Sequence, residues 1–313
     1  MMRFLRRWVL APLLFLVSLP VVALAGLPCP WFLRWVDPPA TAFMLHRERE
    51  ARRAGEELTL VQDWVPLEEM PEHLVRAVLV SEDDRFREHR GVDWKALAEE
   101  VEWSGGEGFS WRSAEDRAAL RSAARYYWAH RSELKGRSTL TQQLAKNLYF
   151  TPDRSVARKA GEFVVAARLE RLVGKDRILE IYLNTAELGP GIFGVGAAAR
   201  AYFDVPAQRL TRFQAASLAA TLPHPLTSNP KTRPGRMAWR RDLILGRLAG
   251  RSVEIPAEPE ELSVPEIDVP SPDQVAPTQG VEPDPAAAPD TVPPDTVPPD
   301  TVPGRPSAEN RSG

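Results

Sequence analysis

Glu82 is the first residue whose type and setting could do chemistry. It follows an apolar stretch with helical spacing over residues 71–80, so its carboxylate is expected where an apolar helix meets solvent. A partly buried carboxylate at such a place suits general acid or base catalysis. The alternative is an ordinary charged helix end followed by a turn at Gly91. The residues of this segment alone leave both interpretations open.

A second polar group lies in the segment from residue 136 to residue 147. The spacing of Thr139 and Gln142 is that of a capping box, which predicts a helix that begins here. Its apolar side would be a line at four-residue spacing, formed by Leu140, Leu144 and Leu148. The other side carries amides and an amine that suit a sugar-phosphate ligand: Gln142, Gln143, Lys146 and Asn147. A solvated helix face is the alternative.

The third group combines two cations with a carboxylate. Arg158 and Lys159 precede Glu162 by four and three residues, which places the three side chains on one face of a helix. As a surface ion pair, the group would contribute roughly 0.5 kcal/mol or less to stability. As a functional site, the cations could hold a diphosphate while Glu162 positions a proton or a metal ion. This pattern alone does not decide between the two.

The elements that must position these groups are predicted to be helical almost throughout residues 42–250. Apolar residues recur every three or four positions over residues 71–80 and 114–134. The best strand candidate is residues 57–65. Four glycines between positions 189 and 196 indicate a close approach of the backbone, either to a ligand or between helices.

The N-terminus has the pattern of a membrane anchor. Arg3, Arg6 and Arg7 precede an uncharged, apolar stretch over residues 8–31, which is long enough to cross a hydrocarbon core of about 30 Å. Arginines before the span predict that residues 1–7 are cytoplasmic and that the rest of the chain lies outside. A cleaved signal peptide is the alternative, because residues 23–25 resemble an A-x-A cleavage site. The length favours the retained transmembrane helix.

The C-terminal part of the chain differs in composition from the rest. Residues 252–313 hold 13 acidic and two basic residues, whereas residues 1–251 carry a net charge of +9. The segment repeats Asp-Thr-Val-Pro and buries too little apolar surface to fold. Residues 251–313 are therefore expected to be a disordered, acidic spacer that is dispensable for chemistry. The single cysteine, Cys29, excludes a disulfide framework and a cysteine-based zinc cluster.

Together, the polar groups resemble the glycosyltransferase family that polymerises lipid II into the glycan strands of peptidoglycan. The resemblance covers about residues 65–230, and it has five motif blocks in the expected order, at 82–91, 136–147, 158–170, 175–203 and 210–230. The block around residues 186–194 looks most like the monofunctional biosynthetic transglycosylases, which share this domain with class A penicillin-binding proteins. Two positions depart from the pattern: the aromatic-rich stretch at 101–135 is longer than usual, and Gln214 stands where Glu is common.

The resemblance implies a mainly α, lysozyme-like domain at residues 42–250, on the outer face of the cytoplasmic (inner) membrane. It implies that Glu82 is the base that takes the proton of the acceptor 4-hydroxyl. It also implies that Glu162 handles the donor diphosphate, with Lys146, Arg154 and Lys159 nearby. Substrate-binding roles are implied for the remaining motif positions: Asp83, Phe86, His89, Ser138, Thr139, Gln142, Gln143, Asn147 and Arg158.

The implied reaction joins lipid II units into a β-1,4-linked strand and releases undecaprenyl diphosphate. It requires no cofactor, although Mg²⁺ or Mn²⁺ could assist the departing diphosphate; no metal-binding residue is assigned. The implied partners are lipid II, the growing glycan strand and the membrane, with cell-division or elongation proteins as candidates and no nucleic acid.

A lytic enzyme and a non-enzymatic scaffold are the two alternative functions. A lytic transglycosylase would cleave finished glycan with one acid–base Glu, and it would not need the cations around Glu162. A non-enzymatic cell-wall scaffold would be expected to have lost Glu82 or Glu162. The insert at residues 101–135 carries tryptophans and arginines, which predicts either a lid that leans on the membrane or a helix packed on the core.

Overall fold

The computed structural model describes residues 26–105, 110–130, 138–152 and 155–256. The described residues are mainly α-helical, as predicted, and we number their helices and strands in chain order. The α-helices are α1 (Ala42–Ala54), α2 (Glu72–Glu82), α3 (Trp94–Glu100), α4 (Ala114–His130), α5 (Leu140–Tyr149), α6 (Val156–Leu172), α7 (Lys175–Thr185), α8 (Gly194–Phe203), α9 (Arg212–Thr221) and α10 (Gly235–Leu248). Short 3-10 helices lie at Pro30–Arg34, Leu67–Glu69 and Ala207–Arg209.

Three short strands form a small sheet with the order β1-β3-β2. Strand β1 (Val61–Gln62) pairs in parallel with β3 (Ile192–Phe193), and β3 pairs antiparallel with β2 (Glu187–Gly189). Strand β1 lies inside the stretch 57–65 that sequence favoured for a strand. The buried side chain of Asn184 binds the chain after β1 through both the N–H and the carbonyl of Val65, each at 2.8 Å.

Helix α5 runs through the main core because apolar side chains recur every four residues along one side of it. Leu140 and Leu144 are fully buried and Leu148 nearly so, so the predicted four-residue spacing is confirmed. Thr139 caps the helix by accepting a hydrogen bond from the N–H of Gln142 at 3.3 Å. Helix α5 packs against α1, α6 and α7, while α2 packs against α9 and α10. Helix α8 packs against both α7 and α9 and so connects the two groups.

The glycines at positions 189–196 serve contacts between elements. A Cβ on Gly196 would lie 2.2 Å from the carbonyl oxygen of Asp63, so a side chain there would push α8 off the strand region. Gly194 has a φ of +79°, and a Cβ there would lie 2.5 Å from the carbonyl oxygen of Asn184. Of the two alternatives left open by sequence, these two glycines support the approach of one chain segment to another.

The N-terminal segment from Gly26 is fastened to the helical body. Leu33, in the 3-10 helix Pro30–Arg34, is 1% exposed. Arg168 of α6 donates to the carbonyl of Pro28 at 2.9 Å, and Arg177 of α7 donates to that of Leu33 at 2.8 Å. Residues 1–25, which hold most of the predicted span, lie outside the described residues. Within the described part of the chain, no helix is long and apolar enough to cross a membrane.

The packed structure continues six residues past Gly250. Ile255 is 2% exposed and belongs to the main core, although composition assigned it to the tail. Residues 257–313 lie outside the described residues. In the insert, α4 begins at Ala114 as predicted and buries Ala119 and Ala123, whereas Trp111 is 72% exposed. The lid and the core helix both remain predictions.

Candidate active site

Glu82 is the last residue of α2 and lines a cleft that is open to solvent. Its side chain is 11% exposed. Oε1 accepts hydrogen bonds from the hydroxyl of Ser81 at 3.0 Å and from Nη2 of Arg240 at 3.3 Å. The cleft has a volume of about 300 Å³, and its wall includes Ser138 and Thr139. A carboxylate that is nearly buried, held by neighbouring donors and open to a cleft is suited to accept a proton from a bound hydroxyl.

Gln143 holds the second oxygen of this carboxylate. Its Nε2 donates to Oε2 of Glu82 at 3.2 Å and to the carbonyl of Ser138 at 3.3 Å. Tyr182, on α7, donates its hydroxyl to Oε1 of Gln143 at 2.8 Å. The tyrosine thereby fixes which end of the amide faces Glu82.

The cation group on α6 lies beside the same cleft wall. Glu162 is 2% exposed. Its Oε1 forms an ion pair with Arg158, and its Oε2 lies 3.2 Å from Nζ of Lys159. Lys159 also donates to the hydroxyl of Ser138 at 2.7 Å. Ser138 therefore links the two groups, because its hydroxyl contacts Lys159 while its carbonyl contacts Gln143. One carboxylate faces two cations here, so the group has one excess positive charge for an anionic ligand.

Four residues with implied substrate-binding roles also hold the framework through their polar atoms, and two of them, Asp83 and Thr139, line the cleft as well. Asp83, whose side chain is 4% exposed, accepts from the ring of His89 at 2.9 Å and from the N–H of Leu140 at 2.9 Å. It thus ties the end of α2 to the start of α5. Thr139 and Gln142 donate to the carbonyl of Gly91 at 2.7 and 3.1 Å.

The remaining motif residues divide between core and pocket. Phe86 is fully buried, and Nζ of Lys175 lies 4.1 Å from its ring centroid. Lys146 and Asn147 are each 6% exposed, so the solvated helix face that sequence left open does not occur. Asn147 lines a small cavity, and its Oδ1 is buried without a hydrogen-bond partner among the described residues. Arg154 lies outside the described residues.

Sequence reasoning missed a buried ion pair behind this small cavity. Arg47 of α1 is 3% exposed and donates to Glu187 of β2 at 2.8 Å. Burial alone would lower the pKa of Arg47, but the hydrogen bonds and charges of Glu187 and Glu50 together outweigh it and raise that pKa above its ordinary value. The two residues are 140 positions apart, so no local spacing signals the pair. It fastens α1 to the sheet that carries part of the cavity wall.

The described residues contain no cluster of three or more His, Cys, Asp or Glu side chains placed to hold a metal ion. The oxygens of Glu162 are already engaged by two cations. This donor set does not fit a metal ion held by the protein alone.

Comparison with known proteins places the chain among peptidoglycan enzymes. The family model described as Transglycosylase matches residues 51–249. The biosynthetic peptidoglycan transglycosylase of Pseudomonas entomophila (strain L48) is 42% identical over 194 residues, or 62% of this chain and 72% of that protein. The namesake from Bordetella pertussis is 39% identical over 220 residues (70% and 82%), and that from Dechloromonas aromatica is 36% identical over 259 residues (80% and 100%). The family match contains Glu82, Glu162 and every element from β1 to α10.

Proposed function

The chain belongs to the transglycosylase family, and we propose that Glu82 is the general base with which it polymerises lipid II into the glycan strands of peptidoglycan. The observation that carries this assignment is the setting of Glu82. Glu82 lines a cleft, and each of its carboxylate oxygens is held by neighbouring donors, Ser81 and Arg240 on one and Gln143 on the other. A base in a fixed position is what deprotonation of a weakly nucleophilic sugar hydroxyl requires.

In this reaction, the acceptor 4-hydroxyl attacks C1 of the donor sugar, and the bond from C1 to the diphosphate oxygen breaks. Glu82 takes the hydroxyl proton, and undecaprenyl diphosphate leaves with the bonding electron pair. Negative charge grows on the diphosphate as the bond breaks. Arg158 and Lys159 would stabilise that charge, with Glu162 fixing their positions before substrate arrives. Arg154 and Lys146 are further candidates for the same role.

We also propose that the protein is a single-pass protein of the cytoplasmic membrane with its catalytic domain on the outer face. The 3-10 helix Pro30–Arg34 and the residue after it lie at the C-terminal end of the predicted span, and they expose aromatic side chains: Trp31, Phe32 and Trp35, with exposed fractions of 58%, 40% and 69%. Tryptophan is typical of the membrane–water interface, where its ring is apolar and its N–H is polar. Cys29 is exposed beside them. A membrane-impermeant maleimide should therefore label Cys29 in spheroplasts, and labelling only after lysis would contradict this topology.

The test of the base is polymerisation of purified lipid II by the full-length protein and its Glu82→Gln variant. The amide keeps the shape of Glu82 but cannot accept the proton, so turnover should fall by about 10²- to 10⁴-fold. Binding of lipid II, measured separately, should persist. A Glu82→Gln variant with a near-normal rate would remove the base from Glu82. Cleavage of finished glycan without synthesis would instead indicate the lytic reaction.

A further inference from the structure

Arg240 connects the proposed base to the C-terminal end of the described chain. Its side chain is 4% exposed and lies on α10. Nη2 donates to the carbonyl of Ser81 at 3.1 Å, to the hydroxyl of Ser81 at 3.2 Å and to Oε1 of Glu82 at 3.3 Å. Nη1 donates to the carbonyl of Pro256 at 2.6 Å. One guanidinium thus bridges the end of α2 and a segment that follows α10.

Arg247 repeats this arrangement two helical turns further along α10. Its Nη2 donates to Oδ2 of Asp84 at 2.8 Å, and its Nη1 donates to the carbonyl of Val253 at 3.2 Å. Seven residues separate the two arginines, which places them on the same face of the helix. In each arginine, one terminal nitrogen donates to the turn that carries Glu82, and the other donates to the segment after α10.

We call residues 251–256 the strap, and the strap is part of the packed body. Ile255 is 2% exposed in the main core. The strap turns back along α10 at Gly246, where a Cβ would lie 3.3 Å from side-chain atoms of Arg251 and Val253. The strap lies beyond the residues matched by the family model, which end at 249.

We propose that Arg240 and Arg247 are positioning residues, and that the strap holds them so that the carboxylate of Glu82 stays aimed into the cleft. This inference rests on the proposed role of Glu82 as the base. A guanidinium has several donors in one rigid plane, so a carbonyl that fixes one nitrogen also restrains the other. The strap carbonyls of Pro256 and Val253 supply that restraint. Without them, Arg240 and Arg247 would contact the Glu82 turn at one end only.

Substitution of Arg240 in the full-length protein tests this proposal by its effect on kcat and KM for lipid II. Misplacing a catalytic group by about 1 Å costs up to about 100-fold in rate, so Arg240→Ala should lower kcat between about 10- and 100-fold. KM should stay within about threefold, because Arg240 is not expected to touch the substrate. Arg240→Lys should restore part of the loss, since an ammonium keeps the charge but cannot bridge both partners. Equal kcat values for Arg240→Ala and the wild type would overturn the proposal.

A matched control lies next to Arg240 on the same helix. Arg241 donates to Asp242 at 2.9 Å, and its guanidinium lies 4.1 Å from the ring centroid of Phe213. Arg241→Ala should therefore leave kcat within about twofold of the wild type, because it removes a charge from α10 without touching the Glu82 turn. A loss as large as that of Arg240→Ala would show a general effect on α10 and would overturn the proposal.

A double-mutant cycle separates positioning from simple loss of stability. If Arg240 acts through Glu82, Arg240→Ala should lower the residual rate of the Glu82→Gln variant by less than about twofold. An undiminished loss in that background would overturn the proposal. A wild type that makes no polymer would instead contradict the proposed function itself.

The strap is tested by two truncations that differ by six residues. A chain that ends at Pro256 keeps the strap and should polymerise lipid II within about twofold of the full-length rate. A chain that ends at Gly250 should lose kcat to the same degree as Arg240→Ala, and Arg240→Ala should then add little in that background. Thermal unfolding gives the folded fraction of each chain, and kcat is then calculated per folded molecule. Full activity per folded molecule without the strap would overturn its role.

Discussion

Gln143 donates from Nε2 to Oε2 of Glu82 at 3.2 Å, and this contact ties the proposed base to helix α5. The amide orientation is fixed from behind by Tyr182, whose hydroxyl donates to Oε1 of Gln143 at 2.8 Å. Oε1 of Glu82 is held by Ser81 and Arg240. Contacts from α2, α5 and α10 therefore converge on this carboxylate, and α7 supports one of them through Tyr182.

Replacing Gln143 by Glu should impair the chemical step. The variant keeps the length and shape of the side chain but turns the donor into an acceptor that repels Glu82. A hydrogen bond to a charged group is worth about 1.5–3 kcal/mol, which corresponds to a loss of roughly 10- to 100-fold in kcat. Tyr182→Phe removes only the support behind the amide and should cost less. Steady-state kinetics on lipid II measures both, and a Gln143→Glu variant with normal kcat would contradict the contact.

Asp83 should contribute more to stability than to substrate affinity. Its carboxylate joins His89 to the start of α5, and Asp83→Ala leaves the buried N–H of Leu140 without its acceptor. Such losses cost about 1–3 kcal/mol in the free energy of unfolding. The control is Asp176→Ala, because Asp176 is 72% exposed in an ion pair with Arg87 and should change stability by about 0.5 kcal/mol or less.

Denaturant unfolding of both variants measures these differences. Lipid II binding by folded Asp83→Ala should stay within about threefold of the wild type. A large loss of affinity without a loss of stability would instead show that Asp83 acts mainly by binding substrate.

The helices were predictable because their signals are local. The four-residue spacing of Leu140, Leu144 and Leu148 forms one apolar line on any helix, and Thr139 with Gln142 marks where that helix begins. The setting of Glu82 follows from the same logic, since it comes directly after an apolar helical run. These features need no knowledge of what packs against them.

The partners of the polar side chains were not predictable because they lie far apart in sequence. Arg240 reaches Glu82 across 158 residues, and α10 carries other arginines that do not make this contact. Gln142 and Thr139 bind the carbonyl of Gly91, which no side-chain pattern indicates. Burial of Lys146 and Asn147 likewise depends on the packing of α5 against its neighbours. Sequence supplies the residue types, and tertiary packing decides which of them face the cleft.

The exposed aromatic side chains at residues 31–35 should lie at the membrane surface. Cys29 is the single cysteine of the chain and is exposed, so it can carry an environment-sensitive dye without further substitution. In vesicles with anionic lipid, the emission of the dye should shift to shorter wavelength, and lipid-attached quenchers should reduce it.

Trp31→Ser with Trp35→Ser should weaken that quenching, whereas Trp239→Ser is the matched control. Trp239 is 50% exposed on α10 and has no proposed contact with lipid. Equal quenching in all three proteins would show that the aromatic side chains do not set the depth of this segment.

Lys159 should affect both binding and turnover, because it lies between the two halves of the site. Its Nζ contacts Ser138 on the cleft wall and Glu162 on its own helix. Lys159→Ala removes a cation from the proposed diphosphate site, so KM should rise and kcat should fall, each by about tenfold. Added Mg²⁺ should restore part of this loss by screening the diphosphate, but it should not rescue Glu82→Gln, which lacks a base rather than a positive charge.

Lys231→Ala removes an exposed lysine from a loop and should leave both constants unchanged. Unchanged KM and kcat in Lys159→Ala would place the leaving diphosphate elsewhere and would leave the ion pair with Glu162 as a purely structural feature of α6.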